Sequence, residues 1–119
     1  MLRHVVLFQF APKTTEDDIG RIFAGFDALV KKLPGVRGMT SGRNTSPEGL
    51  DRGFRHGFVM DFDSARARDA YLAHPEHAAF AENVVFPALA AGRDSVIVFD
   101  CELEEDAARR QPPPGSTAR

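Results

Sequence analysis

Two eight-residue segments open on Arg-His and close on Phe: "RHVVLFQF" at 3–10 and "RHGFVMDF" at 55–62. Both are rich in β formers, and a stretch of helical period follows each. A strand repeated with the same punctuation about half a chain apart restricts the available folds. It predicts two copies of one β-α-β unit, the split arrangement of four antiparallel strands with two helices.

The first strand is expected over 2–10. "APKTTEDD" ends it, and Thr15 with Asp18 forms a capping-box pattern. Ile19, Ile22, Phe23, Phe26, Leu29, Val30 and Leu33 then make one apolar helical stripe, which Pro34-Gly35 stops. Residues 36–44, interrupted by Gly38 and Gly42, predict an edge strand. After the polar loop "NTSPEGLDRG", a third strand is expected over 54–62. Asp63 or Ser64 caps a second helix carrying Ala67, Ala70 and Tyr71. His74 precedes Pro75 and is biased away from helical angles, while Pro75 suits the first position of a new segment. That segment, over 75–90, carries Phe80, Val84 and Leu89 and is limited by Pro87. A last strand is expected over 95–102. The order is β-α-β-β-α-β, so the predicted fold is α+β and ferredoxin-like over residues 1–102. Residues 103–119, "EEDAARRQPPPGSTAR" from Glu104, read as a polar, proline-rich disordered tail.

A chain of 119 residues suggests one domain with a modest core. A formal charge of −2 gives no electrostatic reason to expect nucleic acid, and no apolar run approaches a membrane span. The start reads as a strand, not a leader, and Cys101 is the lone cysteine. These features together predict a cytoplasmic protein.

Strand parity adds a partner. One face holds His4, Val6, Phe8 and Phe10 from the first strand and His56, Phe58, Met60 and Phe62 from the third. The opposite face carries Val5, Leu7, Val59, Ile97 and Phe99. Two helices cover only one face of such a sheet, so the second apolar face predicts a homodimer packed sheet to sheet.

The chemistry concentrates in "AYLAHPEHAAF" at 70–80, which holds the only tyrosine and two of four histidines. "HPEH" lacks the spacing of a zinc helix, and His4 and His56 fall near the starts of antiparallel strands, at opposite ends. No metal and no other cofactor is expected. A histidine and a tyrosine hydroxyl can together move a proton from a carbon acid and hold the enolate oxygen. His77 is the expected base and Tyr71 the oxygen's partner, with His56 in support. The alternative makes Tyr71 a core residue with its hydroxyl satisfied and His4 a strand-end residue bonded to backbone. His74 reads as a cap. Asp100 shares the parity of His4 and is a candidate pocket carboxylate whose partner the sequence does not name.

"RHVVLFQF", "GRNTSPEGLDRGFRHGFVMDF" and "AYLAHPEHAAF" together resemble the stress-responsive dimeric α/β-barrel (Dabb) family, over about residues 1–102. The resemblance implies a ferredoxin-like subunit paired into a dimeric α/β barrel. Some plant members are stress proteins, and one plant member cyclises a linear polyketide by an aldol step. Tyr71, His74, Pro75 and His77 are similar to that enzyme's Y-x-x-H-P-x-H motif. His4 and His56 match further pocket histidines. Phe8, Phe58 and Met60 are bulkier than its residues, so its substrate is not carried over. A small apolar cavity is expected, with His4, Phe8, Phe23, Phe26, Phe58 and Met60 binding an aromatic or carbonyl compound. The phenylalanines favour a non-catalytic, stress-related binding role. Tyr71 and His77 favour the alternative, a cofactor-free lyase, cyclase or isomerase.

Overall fold

The computed structural model describes residues 1–104; all but the first two residues of the tail expected to be disordered, 103–119, lie outside them. Strand β1 (Leu2–Phe8) leads to helix α1 (Glu16–Val30), then β2 (Val36–Arg43) and β3 (His56–Phe62). Helices α2 (Ala65–Ala73) and α3 (Pro75–Phe80) follow, and β4 (Val96–Glu102) closes the sheet. All pairings are antiparallel, in the order β2-β3-β1-β4, which is the ferredoxin-like arrangement.

Local signals explain the element ends. The Thr15 side chain accepts from the Asp18 N–H while Asp18 accepts from the Thr15 N–H, a complete capping box. Ser64, not Asp63, caps α2. Helix α1 buries Ile19, Ile22, Phe26, Leu29 and Val30 against the sheet. There Met60 and Phe62 are fully buried. The rings of Phe26 and Phe58 lie 4.9 Å apart, and Phe8 and Phe58 5.7 Å, forming the centre of the core.

Past α3 the expected stripe goes out of phase. Residues Ala81–Val85 form a π-helical turn before a last α-helical turn, Phe86–Ala88. Pro87 has no N–H, and its ring would press on the Asn83 carbonyl four residues back, so the wider turn relieves the conflict. The extra residue rotates the register: Val85 is buried and Val84, the expected core residue, is exposed.

Gly35 fixes the α1–β2 corner. Its φ is +83°, its carbonyl accepts from the Asp63 N–H, and a Cβ there would stand 2.7 Å from the Ala67 Cβ. Gly35→Ala combines a left-handed residue with a clash. It is expected to remove about 1–3 kcal/mol of stability, read as a lower urea midpoint. An unchanged midpoint would contradict this account of the corner.

The far face of the sheet is uncovered within the protomer. Leu7, Ile97 and Phe99 are 36%, 43% and 62% exposed. Val5 pairs with both Val59 and Phe99, and Leu7 with Gly57 and Ile97, so these residues form two adjoining apolar rows across three strands.

Candidate functional site

Between the helices and the sheet lies a cavity of about 460 Å³, within the usual range for small-molecule sites. Tyr71 and His77 both line it, together with His4, Phe8, Phe26 and Phe58. The chain bend between them is local chemistry. His74 takes φ −67° and ψ 132° ahead of Pro75, and its Nδ1 accepts from the Glu76 N–H at 3.1 Å. Helix α2 therefore ends and α3 starts in a new direction, which brings the His77 ring to 4.6 Å from that of Tyr71.

Tyr71 is 2% exposed, and its hydroxyl meets no hydrogen-bond partner among the described residues. Its hydroxyl is therefore not satisfied within the core. A buried hydroxyl left unpaired costs about 1–3 kcal/mol. Burial also pushes the phenol well above its ordinary pKa, so the group is a neutral donor. His77 is half-buried. Burial holds its pKa below the ordinary value, against a smaller opposing hydrogen bond with the Leu72 backbone, and the nearby His4 and His74 lower it slightly further. The unprotonated ring is thus the favoured form at neutral pH.

His4 is bonded to a side chain, not to backbone. It sits on β1 at 3% exposure, its ring 6.4 Å from that of Tyr71. Register places Asp100 of β4 opposite it, and His4 Nδ1 lies 2.6 Å from the Asp100 carboxylate. The second Asp100 oxygen accepts from Arg68 of α2 at 3.0 Å. The carboxylate can accept from Nδ1 only when that nitrogen carries a proton, so in the neutral tautomer that keeps this bond Nε2 is the acceptor. Asp100 thus gains the two partners that sequence parity did not name. Arg68 precedes Tyr71 by three residues on α2, a spacing that puts both on one helix face and could have pointed to it.

Three expected residues stand elsewhere. His56 is opposite Phe8 and His4 is opposite Met60, so the two histidines are four positions apart along the sheet, roughly 13 Å. His56 Nε2 lies 3.3 Å from Glu16 and its ring 5.5 Å from Phe10, so it gives His77 no support. Met60 is fully buried in the core, off the cavity wall. Phe23 packs on Phe8 and Phe10, also off the wall. For His56, shared strand face was the right reason to group it with His4; position along the strand is what separates the two.

The comparisons with known proteins agree with the fold. The model of the stress responsive A/B barrel domain, Dabb, matches residues 2–103. The stress-response A/B barrel domain-containing protein HS1 of Arabidopsis thaliana is 30% identical over 99 residues, 83% of this chain and 86% of that protein. A dimeric ferredoxin-like protein of unknown function from Jannaschia superposes with a TM-score of 0.76 at 28% identity, over 86% of this chain and 98% of that one. A hydroxynitrile lyase from Passiflora edulis shares the fold, with a TM-score of 0.72 at 24% identity over 87% and 94% of the two chains. Among the described residues no helix is long and apolar enough to cross a membrane. The chain belongs to the stress-responsive A/B barrel (Dabb) domain family.

Proposed function

We propose that this chain is a homodimer whose cavity binds a small aromatic or apolar carbonyl compound and moves a proton at the carbon beside its carbonyl. One observation carries the reading: Tyr71 is buried with its hydroxyl unpartnered among the described residues, and its ring lies 6.4 Å from that of His4 and 4.6 Å from that of His77 in a mostly apolar cavity. A ligand carbonyl is the natural acceptor for that hydroxyl. The base must take on positive charge as it accepts the proton. Burial disfavours charge on His77. The Asp100 carboxylate, itself held by Arg68, can meet charge developing on His4. His4 Nε2 is therefore assigned as the base, and His77 as a neutral hydrogen-bonding wall beside Tyr71. The step forms an enol or enolate held by Tyr71 and returns the proton to carbon. Nothing beyond these side chains is required.

The test is exchange of the methyl protons of acetophenone in D₂O, followed by NMR. Exchange well above the buffer rate is expected. Tyr71→Phe should slow it by on the order of 10²-fold, since it removes the donor at the oxygen where charge develops. Binding without exchange above buffer would reduce the site to a receptor. Absence of binding would refute the cavity reading altogether.

A further inference from the structure

We infer that the ligand is an organic acid, its carboxylate held by Arg93 at the mouth of the cavity and its carbonyl at the Tyr71 end. This rests on the cavity reading above and names the ligand class. Arg93 lines the cavity and is exposed, as are its neighbours there, Leu72 and Val98, so this side is the entrance. The depth is formed by the buried His4, Tyr71, Phe8 and Val85.

Arg93 is placed rather than trailing. Its guanidinium lies over the Phe86 ring, 5.6 Å from the centroid, and Phe86 also lines the cavity. The turn that carries it, Gly92–Ser95, is pinned: Ser95 is fully buried, its hydroxyl accepts from the Ala91 N–H at 2.7 Å, and its carbonyl accepts from the Gln9 N–H at 2.9 Å. Among the described residues no carboxylate forms an ion pair with Arg93, whereas Arg68, the other arginine beside the site, is engaged by Asp69 and Asp100. A stacked guanidinium keeps its N–H edge free, and that edge fits a carboxylate with two parallel bonds.

The register sets the ligand's length. The turn leads into Val96, which is opposite Phe8, while His4 is opposite Asp100. The strand position just after the Arg93 turn and the one beside His4 are therefore about 13 Å apart before side chains reach inward. Phenylalanine rings lie between them. An acid with an aromatic or short aliphatic body and a carbonyl at its far end matches both poles and the apolar middle.

The experiment compares 4-acetylbenzoate with its uncharged methyl ester by calorimetry, on wild type, Arg93→Gln, Arg93→Lys and Arg66→Gln. Arg66 is an exposed arginine outside the cavity lining. In wild type the acid is expected to bind about tenfold more tightly than the ester, a gap that narrows as salt is raised. Arg93→Gln should bring the acid down to the ester, Arg93→Lys should keep part of the preference, and Arg66→Gln should keep all of it. Equal binding of acid and ester by wild type overturns the inference while leaving the cavity reading in place. An equal loss in Arg66→Gln also overturns it, because the effect would then be general charge. Binding of neither compound removes both readings.

Discussion

Phe99→Asp is expected to keep the protomer fold and to convert dimer into monomer. Phe99 is 62% exposed on edge strand β4 and does nothing for the protomer's own core. It lies in one row with Val5 and Val59, beside Leu7 and Ile97, on the face the helices leave uncovered. Leu7 lies over Gly57, where even a Cβ would come within 2.7 Å of its side chain, so a side chain at 57 would displace Leu7 from this face. In a two-fold dimer each substitution acts twice. Losing two buried phenyl rings removes roughly 3–6 kcal/mol, on the order of 10²- to 10⁴-fold in dissociation constant. Two carboxylates facing an apolar surface add a desolvation penalty in the same direction. Sedimentation of wild type and variant at micromolar concentration, with circular dichroism as the fold control, decides it. A wild-type monomer, or a variant that remains dimeric, would falsify the sheet-to-sheet interface.

Much of this architecture was legible because it rests on short-range chemistry. Thr15 and Asp18 cap α1 through groups three residues apart, and the α1 stripe follows directly from its period. Parity alone separated the helix-covered face from the one that Leu7 and Phe99 leave open. The proline after His74 located the bend that brings Tyr71 and His77 onto one cavity.

What stayed hidden depends on register and on partners distant in sequence. The pairing of His4 with Asp100 needs β4 beside β1 with His4 opposite Asp100, and Arg68 completes it from a helix. No period in the sequence reports those distances. His56 shared the correct face but sits at the other end of it, which parity cannot distinguish. The π-helical turn moved burial from Val84 to Val85, since a regular helical period has no allowance for an inserted residue. Arg93 belongs to a short turn without periodicity, and only the folded cavity gives it a context.

Asp100→Asn is expected to slow methyl-proton exchange by on the order of 10²- to 10³-fold while changing acetophenone affinity little. The carboxylate accepts from His4 Nδ1 and from Arg68, and it does not line the cavity. It is therefore a positioning residue that acts through His4. An amide at position 100 can turn its NH₂ toward Nδ1 and its oxygen toward Arg68. Nδ1 would then accept, and the proton would move to Nε2, the nitrogen that must be empty to act as base. The same change removes the negative charge that would face the imidazolium. Arg68→Gln should have a smaller effect, because the carboxylate and the tautomer it imposes survive. A purely structural role predicts a different pattern, with binding and rate falling together and the fold loosened. Rate and affinity must therefore be measured separately, alongside the urea midpoint. If Asp100→Asn exchanges protons at the wild-type rate, His4 is not the base, and the neutral His77 beside Tyr71 becomes the group to which the chemistry must be assigned.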